Sequence, residues 1–327
     1  MSPSADAFVL AIDVGVTNVK AALVSREGSI HHIAISPTPL DAGPENLPMV
    51  LRRTLKRVLG QADLALKDVV AVGCAVPGVA NPSTGEIVLS SFSAWDGIDT
   101  RETLEKTLER PVAIEGDGNA AALASYTFGP SRGQEHLLTI LIGTGISCGY
   151  IANGKLLRGA NNAALAAGHI PLSHQGRPCT CGRQGCWEAQ AGGAALRTIQ
   201  QEYQQAGHTL PGLPEELADL AMAGGPIAAA IWEEQGVMHG MGVASLLTLF
   251  NPKTVILAGG VLKAWSLFKK PLLRTARKHA SSPNGRAAIV CAPEPDRLAL
   301  IGAAVHATRT QVAADFFDNQ ETEKEPR

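Results

Sequence analysis

Three cysteines near the middle of the chain are close enough in sequence to bind a single metal ion. Cys179, Cys181 and Cys186 lie within eight residues, and His169 precedes the first of them by ten residues. Three thiolates and one imidazole complete a tetrahedral zinc shell, and a closed shell is structural because catalytic zinc keeps one position open for water. A disulfide with a spare thiol is the alternative, although a Cys-x-Cys pair bridges poorly. We therefore expect these four residues to bind one structural Zn²⁺.

An aspartate at the end of an apolar run could act as a base. Residues 111–115 read as a strand that delivers Gly116-Asp117-Gly118 to the start of an Ala-rich helix. The flanking glycines leave the Asp117 carboxylate approachable from a cleft, and the N-terminus of the helix adds positive potential beside it. The same position suits a helix N-cap, which is a common role of Asp. From these residues alone, a catalytic and a capping role both remain open.

Three turns that contain glycine could hold phosphate groups or a nucleoside. The first follows an apolar strand and combines a carboxylate, backbone N–H groups and a hydroxyl, which suits a hydrated magnesium ion and phosphate oxygens. An ordinary hairpin would show the same pattern. The second offers bare backbone donors and a hydroxyl, and the third lets a flat ring or a ribose lie on bare backbone. The residues are Asp13, Gly15 and Thr17, then Gly143, Thr144 and Gly145, then Gly259 and Gly260.

These turns are placed by an alternation of strands and helices. Hydrophobic periodicity predicts helices near 45–60, 100–109 and 298–310, an Ala-rich helix after residue 118, and a largely helical segment over 190–250. Apolar runs predict strands at 8–14, 21–24, 69–76, 111–115, 136–151, 254–261 and 287–291. The run ending at Pro77-Gly78 is typical of a strand end that faces a ligand in an open α/β sheet.

Composition narrows the class of protein. The 327 residues are enough for two domains, and a net charge of −2 gives no basic excess for nucleic acid or an anionic membrane. The N-terminus lacks the basic region of a signal peptide, and every apolar run is interrupted before about 18 residues. We expect a soluble cytoplasmic protein without a nucleic-acid or membrane partner. The remaining cysteines, Cys74, Cys148 and Cys291, read as buried apolar thiols.

Taken together, these motifs resemble the ROK family of bacterial sugar kinases and repressors. The resemblance covers residues 8 to 310, and its most specific part is the run Cys-Thr-Cys-Gly-Arg-Gln-Gly-Cys-Trp-Glu at 179–188. It implies an α/β protein of the actin-like ATPase (hexokinase-type) fold, with two α/β domains around a cleft for ATP and a sugar. The implied units are a small domain at 1–120, on which a helix at 298–312 packs back, and a large domain at 121–297 with the zinc. Residues 313–327 read as a disordered tail, and a homodimer is implied.

The resemblance also implies a role for individual residues. Asp117 corresponds to the catalytic base, which accepts the proton of the attacking sugar hydroxyl. Asp13 is implied to hold Mg²⁺ through water, and the rest of the three turns to contact ATP. His169 is implied to give one ring nitrogen to zinc and the other to the sugar, so that zinc fixes the wall of the sugar pocket. The implied sugar contacts are Gly78, Ser91, Gly116, Asp117, His169 and Glu188.

Four positions depart from the family pattern. The family usually has Gly at the position of Val16, and a β-branched residue there must avoid positive φ. It usually has Asn at Ser91 and at Gly116, and Glu at Ala166, three residues before His169. An unpaired sugar hydroxyl in a closed site costs about 1–3 kcal/mol. We therefore expect either a substrate other than plain glucose, such as an N-acetylhexosamine or an allose-like sugar, or weak binding.

Two further functions are compatible with parts of the sequence. Repressors of the family carry a helix-turn-helix of about 60–80 residues before the first phosphate hairpin, whereas here about eight residues precede the first strand. A sugar-binding pseudokinase would explain the altered pocket but not the presence of both Asp13 and Asp117. We expect an ATP-dependent carbohydrate kinase that transfers a phosphate to a hydroxyl, the 6-OH, of a hexose or hexosamine.

Overall fold

A computed structural model describes residues 7–38, 44–81, 84–89, 100–312 and 316–317 of the chain. Their strands are β1 (Val9–Val14), β2 (Asn18–Val24), β3 (Ile30–Pro37), β4 (Ala71–Val76), β5 (Val79–Ala80), β6 (Ile87–Leu89), β7 (Ala113–Gly116), β8 (His136–Ile142), β9 (Ile146–Ala152), β10 (Lys155–Leu156), β11 (Thr254–Ala258) and β12 (Ala288–Cys291). Their α-helices are α1 (Leu47–Gln61), α2 (Thr100–Leu108), α3 (Asp117–Thr127), α4 (Trp187–Ala191), α5 (Gly193–Gln205), α6 (Pro214–Met222), α7 (Pro226–Phe250), α8 (Trp265–His279) and α9 (Leu298–Gln311).

Two five-stranded mixed sheets form the framework of two lobes. The N-terminal sheet has the order β3-β2-β1-β4-β7, and the C-terminal sheet has the order β10-β9-β8-β11-β12. In each sheet an antiparallel hairpin comes first, and the later strands join it in parallel through helical crossovers. The loops after β1, β4, β7, β8 and β11 therefore follow the carboxyl ends of strands, where open α/β sheets bind ligands.

Helices α3 and α9 pack on each other between the two sheets. Helix α9 also contacts β1, β4 and β7, and α3 contacts β8 and β9. The close approach depends on residues without large side chains, since Gly302 of α9 leaves no room for a Cβ beside the Ala120 carbonyl. This packing places the C-terminal helix against the N-terminal sheet and fixes the start of α3 between the lobes.

Two residues of the expected tail are buried. Phe316 and Phe317 are 3% and 6% exposed, and the Phe317 ring meets the Phe128 ring edge-to-face at 5.2 Å between centroids. The Arg26 guanidinium lies 5.6 Å from the centre of the Phe316 ring. At these two positions the tail is packed on Arg26 of the N-terminal lobe and on Phe128 at the end of α3, contrary to a tail disordered throughout. The remaining residues of 313–327 lie outside the described part of the chain.

Among the helices in the described ranges, none combines the length and the apolar character that a membrane span requires.

Candidate active site

A cleft of about 620 Å³ lies between the lobes, and most of the predicted site residues line it. The lining includes residues of all three turns and the ends of β4 and β7. The predicted residues that it brings together are Asp13, Gly15, Thr17, Gly78, Asp117, Gly143, Thr144, Gly145, His169, Gly259 and Gly260.

The first two turns face each other across the cleft. The Thr17 hydroxyl lies 3.0 Å from the Thr144 hydroxyl, although the two residues belong to different lobes. The 143–145 turn is fixed from behind by the start of α5, where the backbone N–H groups of Gly193 and Ala194 donate to the carbonyls of Gly143 and Thr144 at 2.8 and 2.9 Å. These N–H groups are among those that a helix leaves unpaired at its N-terminus, so the helix holds the turn in place.

The third turn requires glycine at its first position. Gly259 has φ +98°, and a Cβ there would collide with the Ile142 carbonyl at the end of β8. Nothing lies within 4 Å of the position that a Cβ would take at Gly260. The turn therefore presents bare backbone to the cleft, as expected of a surface for a ring or a ribose.

Asp13 is paired with a lysine that the sequence analysis did not single out. Asp13 and Lys20 are direct partners in the β1–β2 register, and the Lys20 ammonium donates to Asp13 Oδ2 at 3.1 Å. The ammonium also donates to the Asp296 carbonyl at 3.3 Å, in the loop that follows β12. A single lysine in an otherwise apolar strand, opposite an acid in the hairpin register, is the signal that could have identified it.

Asp117 is the first residue of α3, with Gly116 at the N-cap. Its Oδ1 accepts hydrogen bonds from the backbone N–H groups of Gly118 at 2.8 Å and Gly78 at 3.3 Å, and the Ser147 side chain is a further partner. Gly78 donates from a backbone with φ +84°, which glycine adopts easily. The carboxylate is therefore fixed by both lobes while it lines the cleft.

The pKa of Asp117 is raised to about 7, chiefly by burial and to a smaller extent by the negative charge of Asp13. The hydrogen bonds from Ser147, Gly118 and Gly78 favour the ionised form and act in the opposite direction. A carboxyl with a pKa near neutrality can accept a proton and release it again at physiological pH. Asp117 is not the N-cap of α3, since Gly116 occupies that position.

The donor atoms of His169, Cys179, Cys181 and Cys186 all lie within 4.8 Å of one another. His169 Nδ1 is 3.5 Å from the Cys179 sulfur, and the sulfurs of Cys181 and Cys186 are 3.6 Å apart. A tetrahedral zinc with Zn–S bonds of about 2.3 Å separates its ligand atoms by about 3.8 Å, so the residues present fit the metal. Because Nδ1 faces the thiol, Nε2 is the ring nitrogen left for the cleft.

The remaining implied sugar contacts fall in three different places. Gly116 is buried behind the cleft, and a Cβ there would collide with the Gly78 carbonyl. Glu188 is 7% exposed and does not line the cleft; its Oε2 accepts the Ile146 N–H at 2.7 Å. Ser91 lies outside the described residues. The roles of these three residues as sugar contacts stay predictions, but the small residue at 116 leaves no extra space.

The cleft wall before His169 is built by a loop with unusual backbone angles. Asn162, Ala164, Leu165 and Ala166 line the cleft together with His169. Asn162 and Leu165 both have φ +63°, a left-handed conformation that is uncommon for a leucine. Ala166, where the family usually has Glu, thus faces the cleft, and the residue types of this segment do not predict the strained backbone beside it.

Sugar kinases and repressors are similar to this chain in sequence, and sugar kinases also in fold. The sequence model of the ROK family matches residues 9–310, so the chain belongs to the ROK family. The glucokinase of Streptomyces coelicolor is 29% identical over 314 residues, which is 91% of this chain and 96% of that protein. A crystal structure of a ROK family glucokinase from Streptomyces griseus, in complex with glucose and AMPPNP, superposes with a TM-score of 0.84 at 27% identity and covers 92% of this chain and 99% of that chain. The xylose repressor of Bacillus subtilis is 26% identical over 84% of this chain and 69% of that protein.

The two lobes and their cleft define the actin-like ATPase fold, which the glucokinase structure shares. Within the ROK family, the chain is an ATP-dependent sugar kinase. The prediction of the fold class, of the family and of the enzyme class is therefore confirmed.

Proposed function

We propose that Asp117 is the general base that accepts the proton of a sugar hydroxyl while the γ-phosphate of ATP is transferred to that oxygen. The observation that carries this proposal is the position of Asp117, whose carboxylate lies in the same cleft as the two facing threonine turns. Its pKa of about 7 suits a group that takes up a proton at neutral pH. The acceptor is a hexose or hexosamine, and its 6-OH is the attacking group.

The turns supply the donor side of the reaction. Thr17 and Thr144 would donate hydroxyl hydrogen bonds to the phosphate chain between them, and the backbone of Gly15, Gly143 and Gly145 would add N–H donors. Gly259 and Gly260 would lie along the adenosine. Val16 stands where the family usually has glycine, and its own φ is not positive. Phosphate binding there is therefore compatible with its side chain.

Magnesium fits the acidic end of the first turn. Asp13 is 9% exposed, lines the cleft and presents a carboxylate oxygen, the ligand type that Mg²⁺ prefers. When bound there through water, Mg²⁺ would neutralise charge on the phosphates. Lys20 holds the Asp13 carboxylate in place and adds a second positive charge on the same side of the cleft. Zinc at His169 and the three cysteines would be structural and would orient the histidine toward the sugar.

The sugar itself is proposed to differ from plain glucose. Ala166 lines the cleft where the family usually has Glu, and Leu165 beside it adds an apolar side chain to the same wall. Without that carboxylate, position 166 offers no side-chain partner to a sugar hydroxyl, whereas a wall that is apolar at 165 and 166 accepts an N-acyl group or an epimer whose hydroxyl points elsewhere. We favour an N-acetylhexosamine or an allose-like sugar. The protein is also proposed to form a homodimer, which light scattering of the purified chain would test.

The decisive experiment is a panel of sugars assayed for ATP-dependent ADP release. Glucose, N-acetylglucosamine, N-acetylmannosamine, allose and fructose are compared by kcat/KM at equal protein concentration. Turnover of an N-acetylhexosamine or allose above that of glucose supports the proposal, and a preference for glucose contradicts the choice of substrate. Sugar binding without ADP release from any member would instead support a pseudokinase or a regulator.

A further inference from the structure

A buried ion pair joins the strand that carries Asp117 to the loop that forms the sugar wall. Glu115, the residue before Gly116, is 0% exposed, and its Oε2 accepts the Arg158 Nη2 at 2.5 Å. Arg158 follows β10 in the other lobe, and its side chain is 29% exposed. The pair therefore crosses between the lobes directly behind the cleft.

The other oxygen of Glu115 fixes the backbone next to the base. Oε1 accepts the Gly116 N–H at 3.0 Å and the Asn119 side-chain amide at 3.1 Å. His306 Nδ1, in α9, lies 4.0 Å from Glu115 Oε2. Burial and the positive charge of Arg158 lower the pKa of His306, while the negative charge of Glu115 acts in the opposite direction. A neutral histidine contributes no charge at this position, so the guanidinium of Arg158 is a cation that directly compensates the buried carboxylate.

Arg158 also begins the strained loop. Its carbonyl accepts the Ala164 N–H at 3.0 Å, which closes residues 158–164 into a compact turn. The next residues, Leu165 to His169, form the cleft wall, and Leu165 has φ +63°. Strained backbone of this kind persists only where the surrounding structure determines it. The bonds of Arg158, one through its side chain and one through its carbonyl, supply that constraint at the start of the loop.

We propose that Arg158 is a positioning residue for the sugar site. The ion pair with Glu115 holds the loop 158–169 in register with Asp117, so that His169 and the base meet the same sugar. This inference rests on the proposed sugar kinase function, because it assigns the loop to the acceptor and not to ATP. Neither Arg158 nor Glu115 lines the cleft, so the effect on the sugar is indirect.

The test compares Arg158→Met, Arg158→Lys and a matched control. Arg158→Met keeps the length of the side chain and removes the charge, and a displaced wall raises the sugar KM by about 10- to 100-fold. The KM for ATP stays within about twofold, since the nucleotide turns are held by other contacts. Arg158→Lys restores the charge and gives a sugar KM between those of the wild type and the Met variant.

The control is Arg110→Met, at the opposite end of β7. Arg110 is similarly half-buried and donates to the carbonyls of Leu66 and Val69 at 2.5 and 3.0 Å, so its loss also lowers the melting temperature. Its sugar KM is expected to stay at the wild-type value. An equal rise in sugar KM in both variants would reduce Arg158 to a general stability residue and overturn the proposal.

A measurement without catalysis separates this inference from the proposed function. Amide hydrogen exchange of residues 159–168 is compared in wild type and Arg158→Met at a temperature where both are folded. Faster exchange confined to this loop supports the anchoring, and unchanged exchange contradicts it, whether or not the wild type phosphorylates a sugar. A wild type that fails in the sugar panel while the loop responds to Arg158→Met would refute the kinase proposal alone.

Discussion

Replacing the proposed base should make the protein more stable and inactive at the same time. In Asp117→Asn the amide oxygen can still accept the N–H groups of Gly118 and Gly78, but the side chain can neither ionise nor take up a proton. The pKa of Asp117 is raised from its ordinary value of 3.8 to about 7 by burial. That difference corresponds to about 4 kcal/mol of unfavourable free energy for the ionised carboxylate in the folded protein. Water in the open cleft screens part of it, so about 1–3 kcal/mol is expected.

The pH dependence of this gain follows from the sign of the shift. A raised pKa means that the folded protein binds the proton more tightly than the unfolded chain, so the wild type loses stability as the pH rises from about 4 to about 7. The stability of Asp117→Asn relative to wild type should grow over the same interval and level off above pH 7. Below pH 4 the two proteins should have similar stability, because Asp117 is then protonated in both the folded and unfolded states.

Two assays on the same preparation test this. Thermal unfolding is followed at pH 4.5 and pH 8, and ADP release is measured with the best sugar at pH 8. Turnover is expected to fall by about 10²–10⁴ while the melting temperature rises more at pH 8 than at pH 4.5. The exposed Asp63, changed to Asn, is the control and should alter neither quantity. A variant with near-normal turnover, or one no more stable than wild type at pH 8, would refute the reasoning.

Four further outcomes are expected. Ser147→Ala removes a hydrogen bond that favours the ionised base, so the acidic limb of the kcat/KM profile, near pH 7 in wild type, should move to higher pH; an unmoved limb contradicts this. Cys181→Ser should lower the melting temperature and sugar affinity together, and elemental analysis of unchelated wild type should find one zinc per chain. Ala166→Glu should improve glucose phosphorylation and harm the preferred sugar; improvement with every sugar would indicate a site that is merely weak. Phe317→Ala should lower the free energy of unfolding by about 3–5 kcal/mol, because the ring is buried; denaturant unfolding measures this loss, and the sugar KM should not change.

Much of the fold follows from hydrophobic periodicity. The predicted helices near 45–60, 100–109 and 298–310 correspond to α1, α2 and α9 within a few residues. Helix α1 buries one largely apolar face at helical spacing, whereas α9 is buried on most of its sides. Strand β3, at Ile30–Pro37, was not predicted. It is an edge strand whose side chains alternate irregularly between buried and exposed, and two histidines and a proline weaken its strand signal.

The candidate site was predictable where it depends on local sequence and not where it depends on packing. The turns at 13–17, 143–145 and 259–260 follow strand ends, so their residue types alone place them at one edge. The spacing of the zinc ligands is similarly local. Lys20 and Arg158 act through partners that become neighbours only when strands pair or lobes meet. Gly116 also depends on packing, since the Gly78 carbonyl occupies the position that a Cβ at residue 116 would take.

Three polar contacts join the two lobes around the cleft, and they differ in how substrate binding can affect them. Thr17 meets Thr144, Lys20 meets the Asp296 carbonyl, and Glu115 meets Arg158. The first two are hydrogen bonds between groups at the edge of the cleft. A phosphate chain between the turns would offer charged oxygens, which accept stronger hydrogen bonds from the Thr17, Thr144 and Lys20 side chains. ATP can therefore replace these contacts without leaving those three side chains unpaired. The Glu115–Arg158 pair is different, because opening it would leave a carboxylate buried without its cation. Any relative movement of the lobes should then pivot near this pair, which keeps the sugar wall and the base together while the nucleotide side opens and closes.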